Sequence, residues 1–158
     1  MSHHWISLTL NGETIEAEVP ANRLLSDFLR DQLALTGTKR GCETGVCGAC
    51  SILIDGEVSK SCLSLAVQAH GKTITTVEGL AQGQALHVLQ AAFMEHGGLQ
   101  CGYCTPGFLI AAADLLSRNT SPDDAEIRKA LSGNICRCTG YQGIVDAVRA
   151  AAENLNGT

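Results

Sequence analysis

No stretch of this 158-residue chain is apolar for anything near the roughly 18 residues of a membrane-spanning helix. Met1–Leu10 has neither a basic n-region nor a long apolar h-region, so no secretory leader is expected. Positive charge is scarce: 11 Lys and Arg stand against 16 Asp and Glu, a net charge of −5. The deficit runs through both halves, six basic against nine acidic residues in 1–78 and five against seven in 79–158. No basic face or arm for nucleic acid results. Catalytic signatures are missing as well, with no G-x-S-x-G and no paired-carboxylate arrangement. His70, His87 and His96 have no motif around them and are expected at the surface or at helix ends. His3 and His4 are expected to be exposed terminal residues. The 45% hydrophobic and 17% charged content is that of an ordinary globular domain, one that can also bury surface against partners.

What the chain does have is eight cysteines in two tight sets. Cys42, Cys47, Cys50 and Cys62 are spaced C-x4-C-x2-C-x11-C. Cys101 and Cys104 form a C-x2-C pair, and Cys136 and Cys138 a C-x-C pair further on. Each set supplies the four thiolates of a [2Fe–2S] cluster, and the first opens with the plant-type ferredoxin spacing. A disulfide framework suits small secreted chains, and this one is long enough to bury a core without staples. Structural zinc is the stronger rival, because C-x2-C pairs are its usual ligands. The first loop, however, is crowded with Gly41, Gly45 and Gly48. Zinc has no need of that; a cluster does, since its sulfurs accept many backbone N–H bonds and glycine lets the chain wrap close. Inert buried thiols do not account for two sets of four. Reduced, metal-ready cysteines also point to a reducing compartment during assembly.

Hydrophobic periodicity changes near residue 80. Trp5–Leu10 and Thr14–Val19 alternate about Asn11-Gly12, a type I′ hairpin signal. Leu24, Leu25, Phe28, Leu29 and Leu33 recur at helical spacing, with Asn22 as the expected cap. Thr36–Cys50 is the cysteine loop. Ser51–Ile54 and Glu57–Cys62 read as a second hairpin about Asp55-Gly56, and Thr73–Val77 as a closing strand. The second half predicts four helices. Gln84–Glu95 stops at Gly97-Gly98, and Thr105 caps a helix running to about Arg118 with Pro106 in its first position. Ser121 caps a third that closes at Gly133, and Tyr141–Leu155 is the fourth. The expected fold is therefore α+β: an N-terminal β-grasp plant-type ferredoxin domain over 1–79, the loop on its sheet edge, then a C-terminal four-helix bundle [2Fe–2S] domain over 80–158. Both later cysteine pairs precede helices, whose N–H groups and positive dipole ends favour an anionic group. A helical hairpin across the 31 residues between Cys104 and Cys136 can bring them together.

The flanks sharpen this. Gly41-Cys42-Glu43-Thr44-Gly45-Val46-Cys47-Gly48-Ala49-Cys50, Gln100-Cys101-Gly102-Tyr103-Cys104-Thr105-Pro106-Gly107 and Gly133-Asn134-Ile135-Cys136-Arg137-Cys138-Thr139-Gly140-Tyr141 resemble the iron–sulfur subunit of molybdenum hydroxylases, the xanthine dehydrogenase and aldehyde oxidoreductase family. The resemblance runs from the first hairpin to the last helix. It is nearest in look to small subunits of multi-subunit members such as aerobic carbon monoxide dehydrogenase, 4-hydroxybenzoyl-CoA reductase and isoquinoline oxidoreductase. It implies an electron-transfer subunit that passes single electrons from a molybdopterin-binding large subunit, through two [2Fe–2S] clusters, to FAD in a medium subunit or to another acceptor. It assigns Cys101, Cys104, Cys136 and Cys138 to the cluster nearer molybdenum and Cys42, Cys47, Cys50 and Cys62 to the farther one. Gln100 and Cys138 would also touch the molybdopterin cofactor. A dimer of heterotrimers, cytoplasmic and held near the inner face of the membrane only through partners, is the implied assembly. A free-standing two-cluster ferredoxin and a zinc-stabilised interaction module are the competing readings. The substrate is chosen in the large subunit and is not legible here.

Overall fold

Alternation of apolar residues makes the first sheet. The computed structural model describes residues 2–81 and 83–157; Met1, Gln82 and Thr158 lie outside the described residues. Strand β1 (His3–Leu10) buries Ile6, Leu8 and Leu10 on one face and pairs antiparallel with β2 (Glu13–Pro20). The turn between them holds Asn11 at φ 51° and Gly12 at φ 89°, both in the left-handed region that a type I′ turn requires. A second hairpin joins β3 (Ser51–Ile54) and β4 (Glu57–Lys60) through Asp55 and Gly56, again both at positive φ. The short strand β5 (Thr73–Thr75) runs parallel to β1 and antiparallel to β3, giving the order β2-β1-β5-β3-β4. Helix α1 (Leu25–Asp27), continued by a π-helical turn over Phe28–Gln32, packs Leu25, Phe28 and Leu29 onto Ile6, Val19, Ile52 and Ile74. This mixed sheet with one crossing helix is the expected β-grasp arrangement. Its cysteine loop leads into β3, beside the β4 edge.

The second half is helical, as the change of period implies. Helices α2 (Val88–Glu95), α3 (Thr105–Arg118), α4 (Asp124–Ala130, ending in a 3-10 turn over Leu131–Gly133) and α5 (Gln142–Asn156) enclose a separate core. Leu89, Phe93, Phe108, Ile127, Ile144 and Val148 form its centre. Helix α3 is buried along most of its length because it also lies against β3 and β4. Among the described residues no helix is long and apolar enough to cross a membrane.

Helices α1, α2 and α4 start later than the sequence predicts, and at α4 a tertiary contact takes the predicted cap. Asn22 does not cap α1: the chain first bridges Leu24 to Leu65, Leu25 N–H donates to the Ser64 carbonyl, and the helix starts only there. Ser121 does not cap α4, since its hydroxyl accepts from Asn156 at the far end of α5 (2.9 Å). Asp123 does so instead, closing a reciprocal capping box with Glu126 (2.8 and 2.9 Å). Helix α2 begins at Val88 rather than Gln84, with the His87 imidazole as its cap. At α3 the shift is one residue: Cys104 is the N-cap and Thr105 already helical.

Candidate metal centres

The loop before β3 closes on itself through sulfur. Cys42 Sγ accepts N–H bonds from Thr44 (3.4 Å) and Cys47 (3.3 Å), while Cys42 N–H donates back to Cys47 Sγ (3.4 Å). The Thr44 hydroxyl donation is the largest influence, followed by the Cys47 and Thr44 N–H groups, and together they bring the Cys42 thiol down to about 6. A side chain at Gly41 would place Cβ 2.8 Å from Cys47 Sγ, so the wrap needs glycine there. Cys50 and Cys62 lie deeper, both buried, at the two ends of the β3–β4 hairpin. Burial, then the facing Cys50 sulfur, pushes Cys62 up to about 11.

The second set is gathered by helix ends. Cys104 caps α3, and the Cys136–Cys138 loop comes back from α4 to meet it. Burial and then the Cys136 sulfur push Cys104 up to about 12. Burial also pushes Cys136 up, but the Thr139 hydroxyl (3.2 Å) and the Thr139 and Cys138 N–H groups (both 3.4 Å) outweigh it and bring Cys136 down to about 7. Cys136 N–H in turn donates to Tyr141 Oη (3.1 Å), whose ring packs edge-on against Phe108. Cys101 and Cys138 stand at the surface with their sulfurs 3.6 Å apart, and exposed Gln100 is next to them in the chain. Contact with Cys101 raises the Cys138 thiol.

All eight cysteines are free thiols, and within each predicted set the structure draws them together two by two. They close up as pairs: Cys42 with Cys47, Cys50 with Cys62, Cys101 with Cys138, and Cys104 with Cys136. Among the described residues no three His, Cys, Asp or Glu side chains converge as a single ion requires. Pairing is the grouping that suits a two-iron cluster with two thiolates on each iron. N–H and hydroxyl donors already aimed at the sulfurs fit such a group as well. So does the Thr105 hydroxyl, buried beside Cys104 without a hydrogen-bond partner in the protein.

The two loops are also tied to each other. Ile135 N–H donates to the Cys47 carbonyl (2.9 Å), and the buried Asn134 amide donates to the Gly48 carbonyl (3.0 Å). Lys60 Nζ bridges Ser51 Oγ (2.9 Å) and the Gly133 carbonyl (3.0 Å). Tyr103 Oη donates to the Arg40 carbonyl (2.5 Å). Gly107, in the first turn of α3, sits directly on the Gly48 carbonyl, where any Cβ would collide. Thr44, Lys60, Asn134 and Thr139 carry no signal in the sequence beyond their position in or beside the cysteine flanks. The histidines fall where expected: His70 is exposed and accepts from Ser7 N–H, and His87 and His96 stand at the ends of α2.

This fold and these paired thiol sets define a two-cluster iron–sulfur protein. A 2Fe-2S iron-sulfur cluster binding domain matches residues 8–86, and a [2Fe-2S] binding domain matches residues 76–149. Caffeine dehydrogenase subunit gamma of Pseudomonas sp. (strain CBB1) is 56% identical over 155 residues, covering 96% of this chain and 93% of that one. A chain in the crystal structure of quinoline 2-oxidoreductase from Pseudomonas putida 86 superposes with a TM-score of 0.95 at 50% identity, covering 98% and 97%. Aldehyde oxidoreductase from Desulfovibrio gigas gives a TM-score of 0.93 at 46% identity, with 98% of this chain matching 17% of that longer one. The chain belongs to the family of iron–sulfur small subunits of molybdenum hydroxylases.

Proposed function

We propose that the chain carries single electrons between a molybdopterin-binding large subunit and an acceptor, as the electron-transfer subunit of a multi-subunit molybdenum hydroxylase. The observation that carries this reading is the direct join between the two thiol sets. Cys47 and Cys136 are connected through covalent bonds and one hydrogen bond, Ile135 N–H to the Cys47 carbonyl at 2.9 Å. A zinc-held interaction module has no use for such a link.

Cys42, Cys47, Cys50 and Cys62 would hold one [2Fe–2S] cluster, and Cys101, Cys104, Cys136 and Cys138 the other. Bound there, such clusters supply one-electron redox chemistry, with potentials set by hydrogen bonds to sulfur, charge and solvent exposure. The protein's own part is to aim donors at the sulfurs, bury Cys136 and half-bury Cys104. The exposed edge made by Cys101, Cys138 and Gln100 suits contact with the pterin, where the Gln100 amide and the backbone near Cys138 can hydrogen-bond it. The loop around Cys42, with Val46 and Leu63 exposed at its rim, suits the outgoing side. The acceptor is assigned to FAD in a medium subunit, the assembly to a dimer of heterotrimers in the cytoplasm, reaching the inner face of the membrane only through partners. The two cores support a boundary at 79/80, giving domains 1–79 and 80–158.

Two variants test the order of the path. Cys50→Ser should erase the plant-type EPR signal and stall delivery to the acceptor while substrate still reduces molybdenum. Cys104→Ser should break the path at the molybdenum end, leaving the plant-type signal unreduced by substrate. The opposite assignment of effects would contradict the order.

A further inference from the structure

Lys60 is the residue that the ligand assignment leaves unexplained. It stands at the end of β4, two residues before Cys62, and its cross-strand partner in β3 is Ser51, the residue after Cys50. Its side chain is partly buried, and Nζ donates to Ser51 Oγ (2.9 Å) and to the Gly133 carbonyl (3.0 Å). Both partners are neutral, and among the described residues Lys60 forms no ion pair. The other cations near this loop are committed elsewhere: Arg40 to Asp27 (2.7 Å) and Asp31 (3.4 Å), Arg30 to the Thr36 and Thr38 carbonyls, and Lys39 to the Thr36 carbonyl. A partly buried ammonium without a carboxylate is costly unless an anion faces it. Burial lowers the Lys60 pKa, and the Cys50, Cys47, Cys62 and Cys42 sulfurs, the whole first set, act against it and favour the charged ammonium.

We propose that Lys60 is a potential-setting residue, a fixed positive charge that stabilises the reduced form of the cluster held by Cys42, Cys47, Cys50 and Cys62. A cluster on four thiolates is anionic and gains one more negative charge on reduction. A nearby cation in a partly desolvated site favours that form by direct Coulomb attraction. Among the described residues the second set has no matching half-buried cation: Arg137, between Cys136 and Cys138, is exposed, and Arg128 donates to Gln142 (2.8 Å). The asymmetry raises the potential of the first cluster relative to the second, so electrons run from the Cys101 edge towards the Cys42 loop. Lys60 Nζ is held in place by the Gly133 carbonyl as well as by Ser51.

The proposal rests on the ligand assignment above, and potentiometric EPR titration of the anaerobically purified complex separates the two. Wild type is read first: fewer than two [2Fe–2S] signals would refute the assignment itself, whatever Lys60 does. With both signals present, Lys60→Met should shift the plant-type midpoint to lower potential and leave the other in place. Lys60→Arg should restore it. An unmoved midpoint in Lys60→Met, an equal shift of both clusters, or no recovery with Arg would overturn the proposal and leave Lys60 a structural tie. Where the Met variant fails to retain the cluster, Lys60→Gln keeps a donor for Ser51 without the charge, and the same downward shift is required of it.

Discussion

At Cys136 three donors meet one sulfur, and the hydroxyl of Thr139 at 3.2 Å is the nearest of them. Donors that favour a thiolate also favour the more negative state of a cluster bound through it. Thr139→Val keeps the shape, removes that hydroxyl, and should cost the reduced state about 0.5–1.5 kcal/mol, the net worth of one hydrogen bond. The readout is a lower midpoint for the cluster proposed on Cys101, Cys104, Cys136 and Cys138, with the other cluster unmoved. At this scale the sequence was most legible where chemistry imposes spacing. Eight cysteines at ligand intervals could be grouped without a structure. The donors could not, because which hydroxyl or N–H reaches a sulfur depends on how a loop closes. Thr44 and Thr139 stand in the cysteine flanks like several other polar residues, and only the fold separates them. Lys60 and Asn134 are further still from legibility, since their partners Gly133 and Gly48 lie 73 and 86 residues away.

Elements were legible by period and poorly by boundary. Alternation in β1 and the 3.6-residue recurrence in α5 reflect burial of one face, which the residues themselves encode. Caps are decided by competition, as Ser121 shows: its hydroxyl serves Asn156, and Asp123 takes the helix. The His87 cap makes α2 sensitive to pH. Burial lowers the His87 pKa, and its neutral Nδ1 accepts from Leu89 N–H at 3.3 Å. A group whose folded pKa is lowered contributes above its unfolded value and loses that contribution as pH falls through the folded one. Thermal stability of the wild type should therefore drop by roughly 0.5–1 kcal/mol between about pH 7 and 5, the scale of one weak cap. His87→Asn, which caps without titrating, should flatten that part of the profile in a pH series of melts. Helix α3 carries a sharper constraint at Gly107, where its first turn rides on the Gly48 carbonyl. Gly107→Ala should destabilise by about 1–3 kcal/mol and loosen iron retention in the first loop, measured by melting and iron release. Gly133→Ala is the control, since a Cβ there meets only Lys60 Nζ at 3.6 Å.

Over the whole molecule, two cores meet where α3 lies against β3 and β4 and where the two cysteine loops are tied together. The sheet core around Ile6, Phe28 and Ile74 and the bundle core around Phe93, Phe108 and Val148 are separate apolar clusters. The ties at Cys47–Ile135, Gly48–Asn134, Lys60–Gly133 and Arg40–Tyr103 run between cysteine flanks. The two halves were readable in the sequence because the hydrophobic period changes between them. Their join was not, because it rests on backbone carbonyls that any residue could present. That join is what turns two metal sites into one path, and it requires both sets to hold iron in the same chain. Iron analysis with EPR on the complex purified anaerobically and reduced with dithionite tests this directly. Two distinct [2Fe–2S] signals and about four irons per chain are predicted. A colourless chain holding zinc, or one signal with about two irons, would contradict the account.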